Sequence, residues 1–223
     1  MRTLIIGPHP DDEIIGCGGF ILKSIKEGND VGWCLITKIS DQNIWSSEKI
    51  NKKLMEIEQS RKGLSIKKEN FYKLNYEATQ LDNIPLAEIV KSIKKVIDKF
   101  KPTDLLIPNP SDIHSDHLIT FKAAISSSKS FRSKSIKRIL IYETISETEF
   151  AMDPRYNRFE PNLFVNISDF IQKKLDLLDI YKSEFGEFPF PRSKEVIEIK
   201  AKLNGSRIGV NAAEAFQMIF QSE

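Results

Sequence analysis

All three histidines of this chain, His9, His114 and His117, stand beside carboxylates in two short segments that lie far apart in sequence. The first is Gly7-Pro8-His9-Pro10-Asp11-Asp12-Glu13, and the second is Asp112-Ile113-His114-Ser115-Asp116-His117. Imidazole nitrogens and carboxylate oxygens are ligands that zinc takes tetrahedrally, and a catalytic site keeps three protein ligands with water in the fourth position. His9 and Asp12 are close enough on a tight loop to reach one ion, and His117 completes a His-Asp-His set from the second segment. Water on such an ion ionises near pH 7. Asp11, adjacent to a ligand but free of coordination, is placed to take that water's proton as general base. His114 is placed to donate a hydrogen bond to a developing oxyanion or to protonate a leaving amine. Asp116, or Asp112, is expected to hold the His114 ring in its tautomer, so Asp116 joins Asp11 and His114 in the expected catalytic set. Each residue also has a plainer reading. His-Pro turns are common, and Asp11-Asp12-Glu13 could cap a helix, with Glu13 complementing its dipole. Capping does not predict that every histidine in the chain adjoins an aspartate at the end of an apolar run.

The elements that must carry these residues follow from periodicity. Leu4 to Gly7 reads as a short buried strand, and Pro8 and Pro10 turn it into a rigid loop. Ile14, Ile15, Phe20, Ile21, Leu22 and Ile25 suit a helix that ends near Gly28-Asn29, and Val31 to Thr37 is a second strand. A strand, helix, strand order of this kind forms a right-handed βαβ unit. Further along, Lys49–Lys62 and Leu86–Phe100 read as amphipathic helices, Phe71–Leu74 and Thr103–Pro108 as strands, and the second histidine segment closes the latter. A helix from His117 to Ser130 and a strand from Ile136 to Thr144 follow. Leu163–Ile167 reads as another strand, with Ser168-Asp169 capping a helix over Phe170–Ser183 and Ser193 capping a last helix to about Asn204. Two polar or aromatic stretches, 147–162 and 184–192, are expected to be loops covering the site, and Arg155 and Arg158 are the cations of the first that could meet a phosphate on a substrate. The alternation predicts an α/β domain whose parallel strands deliver both histidine segments to one sheet edge, a single domain spanning 1–223.

Composition excludes several classes. The 33 basic and 31 acidic residues leave a net charge of +2, which gives no field favouring nucleic acid, and no apolar segment nears the roughly 20 residues of a transmembrane helix. Cys17 and Cys34 fit neither a Cys-x-x-Cys pair nor a disulfide framework, as in a reducing cytoplasm, and the N-terminus reads as a first strand, not a signal peptide. Gly16-Cys17-Gly18-Gly19 does not match a dinucleotide fingerprint, because the third glycine would fall at Ile21. These glycines suit close packing of a helix beneath the metal loop.

Pro8-His9-Pro10-Asp11-Asp12-Glu13 together with Asp112-Ile113-His114-Ser115-Asp116-His117 resembles the LmbE-like (PIG-L) family of zinc-dependent N-deacetylases. The segments 161–168 and 211–216 resemble later parts of the same family. The resemblance implies a Rossmann-like α/β fold, a mostly parallel sheet flanked by helices with the metal site at the C-terminal ends of the strands. It implies one Zn2+ per chain on His9, Asp12 and His117, Asp11 as general base and His114 stabilising the tetrahedral intermediate. The expected substrate is an N-acetylglucosamine unit carried on a lipid, inositol, thiol precursor or antibiotic scaffold, a small-molecule amino-sugar conjugate. One departure is visible: where family members use an arginine three residues before a glutamate to hold the sugar, the nearest register here has Lys53 before Glu56. A two-metal phosphoesterase and a non-catalytic sugar-binding protein are the alternatives, and a homo-oligomer is left open.

Overall fold

Apolar runs such as Leu4-Ile5-Ile6 and Leu105-Leu106-Ile107 are buried because strands in the middle of a parallel sheet are covered on both faces. The computed structural model describes residues 1–40, 42–43, 45–152 and 158–223. Within them, β1 (Arg2–Gly7), β2 (Asp30–Lys38), β3 (Phe71–Glu77), β4 (Asp104–Pro108) and β5 (Arg138–Tyr142) run parallel. Their connections are α1 (Asp12–Lys26), α2 (Ser47–Gly63), α3 (Leu86–Phe100) and α4 (Ser115–Ser127). Then come β6 (Leu163–Asn166), α5 (Ile171–Leu178), α6 (Lys194–Ser206) and β7 (Ala213–Gln221). The sheet order is β3-β2-β1-β4-β5-β7-β6, with β7 antiparallel to both its neighbours.

Side chains alternate between two cores, as the strand period of two requires. Ile5, Trp33 and Leu35 face α1, α2, α5 and α6, while Leu4, Ile6, Cys34 and Ile36 face α3 and α4. The chain leaves β1 towards β2 and β3, then returns to place β4 on the other side of β1. That reversal is a topological switch point, where loops from adjacent strands part to opposite faces and open a crevice. The two histidine segments follow β1 and β4, so the topology brings them together.

The expected α/β architecture is observed, with three differences. Nothing in the sequence pattern marked β7; it adds an antiparallel strand where no further parallel crossover follows. The helix expected over Phe170–Ser183 runs only from Ile171 to Leu178 and tightens into a 3-10 turn over Asp179–Tyr181. Ser168 does not cap it, because its hydroxyl is bonded to Asn166 Oδ1 at 2.7 Å. Ser193 does cap α6, accepting from the Val196 amide.

The glycines of α1 have the packing role their spacing suggested. A Cβ on Gly16 would lie 2.4 Å from the Tyr142 ring, and one on Gly19 would lie 2.7 Å from Ile167. Next to them a buried ion pair enters the helix. Lys174 donates to the Ile15 carbonyl and to Glu214 Oε1, both at 2.7 Å, and Glu214 accepts from the Gly19 and Phe20 amides. β7 and α5 are thereby tied to the helix that begins at the first histidine segment. A buried charge stripped of its partner is costly, so Lys174→Met should destabilise the fold by about 3–5 kcal/mol in urea denaturation. The double variant Lys174→Met/Glu214→Gln should lose less than the two single losses added together.

Candidate active site

The turn from β1 into α1 is strained where chemistry would be placed. Asp11 has φ 125°, a conformation disfavoured for a residue with a side chain, and its carboxylate makes no capping bond to the helix. Its carbonyl instead accepts from the Ile14 and Ile15 amides. The plainer capping reading therefore does not account for Asp11. Its amide N–H is held by Glu13 Oε2 at 3.0 Å, and Glu13 Oε1 accepts from the Ser60 hydroxyl at 2.5 Å and from the Tyr181 hydroxyl at 3.2 Å. Glu13 thus fixes the turn to α2 and to the Asp179–Tyr181 turn. Burial pushes its carboxyl up to about 7.

Donor atoms of His9, Asp12 and His117 converge within 4.8 Å of one another. His117 Nε2 lies 3.7 Å from Asp12 Oδ1, and His9 Nδ1 lies 3.9 Å from Asp12 Oδ2. Ligands about 2.0 Å from a tetrahedral ion sit about 3.3 Å apart, so a small contraction would close the set on zinc. Each ring is oriented from behind by its own carboxylate. Asp112 Oδ2 pairs with His117 Nδ1 at 2.8 Å, and Asp116 Oδ2 pairs with His9 Nε2 at 2.9 Å, the arrangement that orients metal-binding imidazoles. The electrostatics also ask for a cation here. Burial opposes charge on His117, yet Asp12 and Asp112 raise it to about 9, so the carboxylates draw a positive charge to the position an ion would occupy.

The structure reassigns two expected contacts. Asp116 was expected to hold the His114 ring with its carboxylate; that carboxylate instead faces His9 and accepts from the Thr79 and Leu81 amides. The Asp116 backbone N–H is what reaches His114, donating to Nδ1 at 3.1 Å, because His114 is the N-cap of α4. Asp112, the other expected partner of His114, serves His117, and it also accepts from Asn109 and Thr148. With Nδ1 accepting, the proton of neutral His114 sits on Nε2. Burial and the adjacent His9 push this imidazole down to about 4, so it is neutral at pH 7 and suited to donating a hydrogen bond. Burial, followed by the charge of Asp12, pushes the Asp11 carboxyl well above its usual range, against the pull of Arg192. His9, Asp11, Asp12, His114 and His117 all line one cavity of about 250 Å³; Asp116 lies behind them.

The walls of that cavity carry residues the sequence pattern did not single out. Thr37, Lys38, Trp45 and Lys49 come from the end of β2 and the start of α2, Thr144 and Glu147 from the loop after β5, and Glu184 and Arg192 from the aromatic loop. No local motif marks them; only a pairing partner for Asp11 could have been sought, in Arg192, the single cation of 184–192. Lys53 does reach the cavity, and its ammonium is held by Glu184 at 2.7 Å and Glu56 at 3.3 Å. Both expected covering loops contribute, through Glu147 on one and Glu184 and Arg192 on the other. Arg155 lies outside the described residues. Arg158 lines a separate hollow with Glu143, Phe159 and Lys200, because the chain there is already tied to β7 through Glu160 and Asn162.

Fold and site together define an α/β enzyme class with histidines and aspartates gathered at the strand ends, where His9, Asp12 and His117 could hold an ion beside the buried carboxyl of Asp11. Residues 4–128, more than half of the chain, match the family model PIG-L, GlcNAc-PI de-N-acetylase, and the chain belongs to that family. Relatives such as the diacetylchitobiose deacetylases are amidohydrolases that act on N-acetyl groups, and this chain is an enzyme of that kind. The diacetylchitobiose deacetylase of Thermococcus kodakarensis is 28% identical over 225 residues, covering 98% of this chain and 83% of the relative. The N,N'-diacetylchitobiose deacetylase structure from Pyrococcus horikoshii superposes with a TM-score of 0.77 at 26% identity, over 98% of this chain and 83% of that one. Teicoplanin deacetylase Orf2, in a zinc-inhibited form, shares the fold with a TM-score of 0.76 at 15% identity, over 100% and 99% of the two chains.

If the His9, Asp12, His117 group takes zinc, Asp112→Asn and Asp116→Asn should each weaken its binding by about 10- to 100-fold in competition with a chromophoric chelator, through loss of ring orientation. His114→Ala should leave that affinity unchanged. A loss at His114 equal to that at His9→Ala would place the ion in the alternative His9, His114, Asp116 group.

Proposed function

We propose that the protein is a zinc-dependent hydrolase that removes the N-acetyl group from an N-acetylglucosamine-type sugar or its conjugate. The observation carrying this reading is the meeting of His9, Asp12 and His117 in a cavity that Asp11 and His114 also line. A zinc ion on those three residues would polarise the acetyl carbonyl and make hydroxide available from bound water at neutral pH. Asp11, buried and drawn towards its protonated form, takes the proton of the attacking water as oxygen bonds to the carbonyl carbon. The same proton is then delivered to the amide nitrogen as the C–N bond breaks, leaving acetate and a free amine. His114, neutral with its proton on Nε2, donates to the carbonyl oxygen as charge develops there. Asp112 and Asp116 keep the two ligand rings in place throughout.

An amino sugar is favoured by the named activities of two relatives above 25% identity and by the half-buried Trp45 at the cavity, an aromatic side chain of the kind that packs against a pyranose. The free, buried cysteines suit a cytoplasmic site of action. A phosphoesterase would need two ions about 4 Å apart. The second donor group here shares His9, and the carboxylate of Asp116 is already taken by His9 and two amides.

Metal analysis of wild type and Asp11→Asn should find one zinc in each. Acetate release from N-acetylglucosamine conjugates should fall by about 10²- to 10⁴-fold in the variant. Chelation should abolish the wild-type activity and added zinc restore it. Two ions per chain, or turnover that survives chelation, would overturn the proposal.

A further inference from the structure

The cations of the cavity differ in what holds them. Lys53 sits between Glu184 and Glu56, and Lys49 lies over the Trp45 ring at 3.9 Å. Arg192, which ends the aromatic loop just before Ser193 caps α6, places Nη1 3.3 Å from Asp11 Oδ2. Its Nε is buried with no hydrogen-bond partner, one of few such side-chain atoms among the described residues. A buried donor left unpaired is unfavourable, and a small shift of the guanidinium towards the cavity that Arg192 lines would give it an acceptor there. The guanidinium is planar and rigid, so whatever accepts from Nε–H is held at a fixed, short distance from the Asp11 carboxylate.

Under the deacetylase reading, on which this inference rests, Asp11 faces the water and the amide nitrogen. Apart from the acetyl oxygen itself, the substrate oxygens nearest that nitrogen are those on the two ring carbons flanking the acetamido carbon. We propose that Arg192 is a specificity residue of the deacetylation: Nη1 holds the base, and Nε–H donates to an oxygen on a ring carbon adjacent to the acetamido-bearing carbon. One side chain thereby sets the register between base and sugar. The enzyme requires a vicinal oxygen beside the amide, and a simple N-acetyl amine lacks the atom that seats it. Lysine at this position would keep the charge on Asp11 but offers no Nε–H held in a planar fork.

The test uses zinc-loaded wild type, Arg192→Lys and Arg192→Gln with N-acetylglucosamine and its 1-deoxy and 3-deoxy analogues, after thermal melts establish that the variants fold. Wild type should prefer the parent sugar to one analogue by about tenfold or more in kcat/KM, the scale of a charge-assisted hydrogen bond, mostly through KM. Both variants should lose that preference; Arg192→Gln should also turn over every sugar more slowly, because Asp11 loses its cation, so the ratio between parent and analogue is the quantity that decides. A preference that persists in Arg192→Lys and Arg192→Gln, or a wild type indifferent to both oxygens, overturns the assignment. Calorimetric binding of the same sugars separates the two layers of inference. Absence of acetate release with a tenfold binding gap that closes in the variants would remove the deacetylase reading and keep the contact. Absence of any binding gap would remove the contact whether or not acetate is released.

Discussion

Buried carboxylates at one edge of the sheet are the constraint on which the site depends. Asp11, Asp12, Glu13, Asp112 and Asp116 are all buried, within a few residues of the ends of β1 and β4. Negative groups cannot stay ionised away from water unless donors or cations meet them. The surrounding structure supplies these one by one: backbone amides for Asp116, a hydroxyl pair for Glu13, an amide side chain and a threonine for Asp112, and a guanidinium for Asp11. Asp12 accepts from the His9 amide, and its two oxygens face the two imidazoles. What remains unmet is a demand for positive charge among His9, Asp12 and His117, where the proposed ion would sit.

Rigid support behind the site comes from elements distant in sequence. Glu13 binds the turn to α2 through Ser60, and Glu214 on β7 binds α1 through the Gly19 and Phe20 amides. The small residues of α1 are what allow this approach, since side chains at Gly16 and Gly19 would collide with Tyr142 and Ile167. Strain at Asp11 is tolerable only because both flanks of the turn are over-determined in this way. Precision at the reacting centre and packing of the core are the same set of contacts viewed from two sides.

The cavity wall follows a different logic from its floor. The floor is built from strand ends and helix starts, where backbone geometry is fixed by the sheet. The wall is built from the start of α2, the loop after β5 and the aromatic loop, where Lys53, Glu184, Arg192 and Asp11 form alternating charges. Loops vary in sequence and geometry far more readily than the strand ends they cover. Lys53 on α2 is held by Glu184 and Glu56, while a guanidinium enters the cavity from the opposite segment.

By itself, the sequence determined the strands and helices from β1 to α4, the α/β class and the meeting of two histidine segments at one edge. It could do so because strand and helix periods, proline breaks and the rarity of histidine are local signals. It also identified His9, Asp12 and His117 as a donor set, since residue type and position after apolar runs are enough to nominate ligands. The tertiary structure alone decided which carboxylate orients which ring, because Asp112 and Asp116 are both near His114 and His117 in sequence and only the turn of α4 separates their directions. It alone revealed β7, whose pairing partners β5 and β6 are remote along the chain. It alone placed Arg192 against Asp11, a contact across 181 positions that no periodicity records. Local patterns reach as far as a helix turn or a strand pair; long-range contacts are fixed only when the layers pack.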